Sequence, residues 1–78
     1  MHEVVVYSRH RCHLCEVVKS TLRSLEHRGD FHWHEIDIDE DQELRTLYSD
    51  SVPVVFIDGR KSFKYRMSEH DFLRRLEG

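Results

Sequence analysis

Both cysteines of this chain lie in Cys12-His13-Leu14-Cys15. The pair falls between an apolar run, Val4-Val5-Val6-Tyr7, and an amphipathic stretch that begins at Leu14. A C-x-x-C in a strand-to-helix turn is the pattern of a dithiol/disulfide redox centre, because a helix N-terminus lowers the pKa of a thiol placed there. The placement constrains the fold as well: a strand must enter the pair and a helix must leave it. With 78 residues, the chain has enough material for one small domain over 1–78 and one compact core.

The flanking residues fit that requirement. Val4 to Tyr7 is a continuous apolar run, as expected of a strand buried on both faces. Ser8-Arg9-His10-Arg11 follows as a polar, basic loop. Leu14, Val17, Val18, Leu22 and Leu25 then recur at spacings of three and four, which make one helical stripe. His27 and Arg28 suit the negative end of that helix, and Gly29 is placed to terminate it. Phe31 to Ile38 is a second strand, so the opening is a βαβ unit with parallel strands.

Asp39 is placed to cap a shorter helix, with Glu40, Asp41 and Glu43 in its first turn and Leu44, Leu47 and Tyr48 facing inward. Ser51-Val52-Pro53 breaks the chain before a third buried strand, Val54 to Ile57. Asp58-Gly59 is a hairpin turn, returning the chain as Arg60 to Tyr65 with Phe63 and Tyr65 inward. Ser68-Glu69-His70-Asp71 is a capping box for a last helix that turns Phe72, Leu73 and Leu76 inward. The expected order is β-α-β-α-β-β-α. Trp33, Phe56, Phe63, Tyr65 and Phe72 are read as core.

Composition excludes several function classes. Net charge is −3 with both signs interspersed, so a nucleic-acid partner is not expected. No apolar run approaches the roughly 20 residues that cross a bilayer, so no membrane partner is expected. Met1-His2-Glu3 leads straight into a strand without a charged-then-apolar leader, and a cytoplasmic monomer is the expectation. Two cysteines do not make the disulfide framework of a small secreted scaffold.

Seven histidines raise the question of a metal. His10-x-Cys12-His13-x-Cys15 packs four ligand types into six residues, but structural zinc sites draw ligand pairs from separated segments. Adjacent Cys12 and His13 do not easily face one ion. The acidic run Asp37 to Asp41 fits strand-end and capping chemistry better than a calcium loop, which needs a glycine turn. No metal and no bound cofactor is expected.

The order of elements, the C-x-x-C after the first strand and the proline opening the third strand resemble the thioredoxin superfamily. The resemblance is closest to glutaredoxins and small glutaredoxin-like proteins. It rests on Tyr7 to Cys15, on Ser51-Val52-Pro53 and on Val55-Phe56-Ile57-Asp58-Gly59. It implies an α/β thioredoxin fold, a four-stranded mixed sheet with helices on both faces. It implies a cis Val52-Pro53 bond facing the cysteines, with the Val52 backbone beside Pro53 pairing an extended substrate segment. Arg9 matches a basic position that in glutaredoxins holds a carboxylate of glutathione. Two departures stand out. His13-Leu14 replaces the Pro-Tyr of C-P-Y-C, and Tyr65 to Glu69 lacks the Gly-Gly-x-Asp that holds the other end of glutathione. Weak glutathione dependence is therefore expected.

In thiol–disulfide exchange a thiolate attacks and a second thiol resolves the mixed disulfide. Cys12, at the helix start with Arg9, Arg11 and His13 around it, is the candidate nucleophile; Cys15, one turn in, is the candidate resolving thiol. His13 either tunes Cys12 or is an exposed helix-start histidine. The expected partners are disulfide-containing proteins, with glutathione or a thioredoxin-reductase-type reductant. The alternative is a non-enzymatic metal- or iron–sulfur-binding module on the same fold.

Overall fold

The computed structural model describes residues 1–77. Strand β1 (His2–Ser8) runs into the loop that carries Cys12 and then into helix α1 (His13–Leu25). Strand β2 (Phe31–Asp37) pairs parallel with β1, Val4 opposite Trp33 and Val6 opposite Glu35. A single 3-10 turn (Ile38–Glu40) and helix α2 (Gln42–Tyr48) lead to strand β3 (Val54–Ile57), which pairs antiparallel with β1. Strand β4 (Arg60–Lys64) closes the hairpin, and helix α3 (Glu69–Glu77) ends the described chain. The sheet order is β2-β1-β3-β4, a mixed four-stranded sheet.

Alternation along the strands assigns the faces. Val4, Val6, Val55 and Ile57 point one way and join Val18, Leu22, Leu25, Phe31, Met67 and Phe72 in the core under α1 and α3. Phe72 meets Phe31 edge-on, with ring centroids 4.9 Å apart. On the opposite face Tyr7 stacks on Tyr48 of α2 at 5.1 Å and meets the edge of Phe56 at 5.3 Å. This second face is only half covered, because α2 buries none of its residues. The expectation that β1 is buried on both faces is corrected accordingly: Val5 and Tyr7 remain partly open.

Several local assignments shift. Val17 and Leu47 are 46% and 66% exposed, so neither belongs to an inward stripe. Asp41, not Asp39, caps α2: its Oδ1 accepts hydrogen bonds from the backbone N–H groups of Glu43 and Leu44. Helix α1 stops at Leu25, before Gly29. Gly29 is needed for proximity, since a Cβ there would sit 2.9 Å from the Phe31 ring and 3.1 Å from Leu76. Tyr65 is 40% exposed rather than core, while Met67, which carried no sequence signal, takes the buried position.

Candidate functional site

The chain reverses direction between β1 and α1 through Arg11, whose φ of +56° puts a non-glycine residue in the left-handed region. Cys12 follows in extended conformation and caps α1, its Sγ accepting a hydrogen bond from the Cys15 backbone N–H at 3.1 Å. The Cys12 carbonyl accepts the first helical bond, from Glu16 N–H at 3.1 Å. Cys12 and Cys15 are joined as a disulfide, with Cα atoms 5.2 Å apart. Cys12 is partly exposed and Cys15 fully buried, an asymmetry that follows from the cap position of the first and the inward helical position of the second. His13 opens α1 and is exposed.

The Val52-Pro53 bond is cis. Because Tyr7 pairs with Val54, the Ser51-Val52-Pro53 loop lies at the same end of the sheet as the loop that carries Cys12. Two bonds fix it from outside: Ser51 N–H donates to the Tyr48 carbonyl and Tyr65 N–H to the Pro53 carbonyl, at 2.9 and 2.8 Å. Val52 makes no backbone hydrogen bond among the described residues. Tyr65 is itself left-handed, φ +70°, and its hydroxyl donates to the Asp50 carbonyl at 2.8 Å.

Arg9 is a clamp. Its Nε and Nη2 donate to the Asp39 carboxylate at 3.2 and 2.9 Å, and its Nη1 donates to the Ser49 carbonyl at 3.1 Å. The hydrogen bond and charge of Asp39 hold the guanidinium above its ordinary pKa. The side chain thus ties the loop before Cys12 to the 3-10 turn and to the segment leading into Val52. Asp39, expected as a helix cap, is the other half of this clamp.

Behind Cys15 lies a polar group that the sequence reading passed over. Lys19, one turn further along the same face of α1, is buried and donates to Glu35 at 2.8 Å and pairs with Glu16 at 2.7 Å. The buried Ser8 hydroxyl also donates to Glu35. Burial alone would raise the Glu35 carboxyl, but the bonds from Lys19 and Ser8 outweigh it and hold it below the usual carboxylate range. Burial likewise works against the charge of Lys19, and the bonds to Glu16 and Glu35 overcome it, so its pKa is raised. The spacing Cys15, Val18, Lys19, Leu22 was the available signal: the inner stripe of α1 contains one lysine.

Among the described residues, no group of three or more His, Cys, Asp or Glu side chains is placed to hold a metal ion. His10 instead sits 3.2 Å from Asp37, and His32 3.8 Å from Glu3. Within the same bounds, no helix is long and apolar enough to cross a membrane.

A family model described as Glutaredoxin-like domain (DUF836) matches residues 3–77. The chain belongs to that family. No curated protein matches it. Among solved structures, protein Ne2328 from Nitrosomonas europaea is 34% identical, with 96% of this chain and 91% of that one covered and a TM-score of 0.81. A variant of the thioredoxin-like protein BC3987 is 26% identical, over 94% of this chain and 95% of that one, at a TM-score of 0.68. A thioredoxin from Halobacterium salinarum shares the fold at 23% identity and a TM-score of 0.70, over 97% of this chain and 72% of that one. The glutaredoxin-like domain therefore has a thioredoxin-like fold with a cysteine pair at disulfide distance, the arrangement of redox proteins.

Proposed function

We propose that this glutaredoxin-like protein is a thiol–disulfide oxidoreductase in which Cys12 attacks and Cys15 resolves. The observation that carries the reading is the asymmetry of the pair: Cys12 is accessible and caps a helix, and Cys15 is buried one turn behind it. In the reduced protein the Cys15 amide and the positive end of α1 favour a thiolate at Cys12. That thiolate attacks one sulfur of a substrate disulfide, forming a mixed disulfide and releasing the other sulfur as a thiolate. The Cys15 thiolate then attacks Cys12 Sγ, expels the substrate sulfur and leaves the Cys12–Cys15 bridge. Two electrons pass to the substrate, and an external thiol or dithiol returns the bridge to two thiols.

The preferred substrate is a protein disulfide in an extended segment. The unpaired backbone of Val52, held by Pro53 and its neighbours, offers such a segment a strand to pair with. Glutathione is the weaker candidate, because the donors of Arg9 already face Asp39 and Ser49. Tyr65, anchored to Asp50, stands where glutaredoxins carry their glycine pair.

Reduction of a protein disulfide by the wild type, Cys12→Ser and Cys15→Ser tests the roles. Cys12→Ser should be inactive, and Cys15→Ser should trap the mixed disulfide. Activity retained in Cys12→Ser but lost in Cys15→Ser would reverse the assignment. Running a glutathione mixed disulfide beside insulin, the latter driven by a thioredoxin reductase, tests the substrate class. A preference for glutathione would overturn that part.

A further inference from the structure

A cleft of about 320 Å3 opens at the loop that leads into Cys12. It is lined by Arg9, His10, Arg11, Glu16, Lys19, Glu35, Asp37 and Glu40. Most of its charges are spoken for: Arg9 is held by Asp39, Lys19 by Glu16 and Glu35, and Asp37 faces His10. Arg11 is the one cation of the cleft that makes neither an ion pair nor a side-chain hydrogen bond among the described residues. It is also the residue bonded directly to Cys12, and it is exposed.

The backbone sharpens the point. At φ +56° a glycine would be unstrained, whereas an arginine must bring its Cβ close to the following carbonyl. A residue in this conformation whose side chain makes no ion pair or side-chain hydrogen bond among the described residues is not held there by polar contacts of the fold. Strain of this kind gathers where side chains meet ligands. A guanidinium beside an attacking sulfur meets whatever flanks the substrate's sulfur, and its own chemistry selects carboxylates. Glu40 is the one anion lining the cleft that makes no ion pair among the described residues; it opposes a carboxylate near itself and leaves Arg11 as the uncommitted attractive charge.

We infer that Arg11 is a specificity-determining residue that directs Cys12 to disulfides flanked by acidic residues. The inference rests on the redox reading above and adds a substrate preference to it. The reaction itself is unchanged: the thiolate attacks the peptide's disulfide, and Arg11 attracts the neighbouring carboxylate without exchanging electrons or protons.

The test uses three pentapeptides that differ only in the residues flanking a central cysteine: aspartate, asparagine or lysine. Each is loaded as a mixed disulfide with thionitrobenzoate, and pre-reduced protein releases the coloured thiol in a single turnover. The ratio of rates, aspartate over lysine, is compared between wild type and Arg11→Gly, so that intrinsic peptide reactivity and any change in the Cys12 thiolate cancel. Glycine suits the left-handed position, so this variant folds. The ratio should fall about fivefold in Arg11→Gly at low salt and should be largely retained in Arg11→Lys. In wild type, 0.5 M salt should shrink it. An unchanged ratio in Arg11→Gly, or a wild-type preference for the lysine peptide, overturns the inference alone. Failure of wild type to release thionitrobenzoate from any peptide, while dithiothreitol releases it from all three, overturns the redox reading and the inference with it.

Discussion

On the α1/α3 face of the sheet, Val4, Val6, Val55 and Ile57 are sealed beneath Val18, Leu22, Leu25 and Phe72, all at most 5% exposed. On the α2 face, Val5, Tyr7 and Phe56 lie half open beneath a helix of seven residues that buries none of them. The two faces do different work. The sealed face removes apolar surface from water, which is the main favourable contribution in a domain this small. The open face buries Val54 but leaves Val5, Tyr7 and Phe56 half open, and it sets positions: the Tyr7–Tyr48 stack holds the end of α2, and the Arg9–Asp39 clamp holds the 3-10 turn before it. Together they set the Val52-Pro53 loop relative to Cys12. Substitutions on the first face should therefore change stability, and substitutions on the second should change the site.

Phe72→Ala should give the largest effect. The ring is fully buried against Phe31 and Phe63, and truncation of such a side chain costs about 3–5 kcal/mol. Against a total of about 5 kcal/mol for a domain at the low end of the usual range, about 0–2 kcal/mol should remain, so that from a few per cent to about half of the molecules unfold. Urea unfolding followed by circular dichroism measures this. A loss below about 1 kcal/mol would show that the sealed face is not the main source of stability.

The polar group within the sealed face gives the next effect, visible through pH. Glu35 has a folded pKa below its unfolded value of about 4.3, so its contribution is complete above that pH and is lost as pH falls through the folded pKa. Lys19 has the opposite sign: its contribution is complete below about pH 10.4 and is lost as pH rises through its raised folded pKa. Glu35 is partly exposed, so water screens the pair and its worth is about 1 kcal/mol rather than several. Glu35→Gln should lower stability by that amount at pH 7 and lose stability less steeply than wild type below pH 4.3. Parallel curves for the two proteins across that range would mean that the carboxylate of Glu35 contributes no charge interaction.

The contrast between faces also explains what could be read from the sequence. Helix α1, the β3–β4 hairpin and Phe72 were legible because burial on the sealed face imposes strict periodicity on Val18, Leu22, Leu25 and their partners. Cys12 and Cys15 were legible because their spacing and placement are local. The open face was misread where periodicity was weak: Leu47 was expected inside and Asp39 was expected as a cap. Asp41 and Asp39 are chemically alike, and only the three-dimensional position of Arg9 decides which carboxylate caps the helix and which makes the clamp. The left-handed turns at Arg11 and Tyr65 left no trace, since neither residue is one that favours positive φ.

Tyr48→Ala tests the positional role of the open face. Removing the stack on Tyr7 should cost about 1 kcal/mol, because Tyr48 is only partly buried. The larger consequence should be kinetic. Tyr48 leads directly into Ser51, Val52 and Pro53, and loosening that segment should lower the rate of disulfide reduction by up to about tenfold through misplacement of the substrate strand. An unaltered rate alongside the stability loss would make α2 a bystander to the site.

The smallest effect is expected one residue earlier, and it is the sharpest check on calling this face open. Leu47 is 66% exposed, and lysine matches leucine closely in helix propensity, so Leu47→Lys should leave both stability and rate within error of wild type, a change below about 0.5 kcal/mol. The added charge also falls in the last turn of α2, where the helix's negative end accepts it. A leucine that were covered in solution, by a second copy or by a partner, would behave otherwise. Its replacement by an ammonium would then lower the melting temperature in a way that depends on protein concentration. Concentration-independent melting in both proteins would fix α2 as a thin, solvent-facing brace whose value lies in where it holds Tyr48 rather than in what it buries.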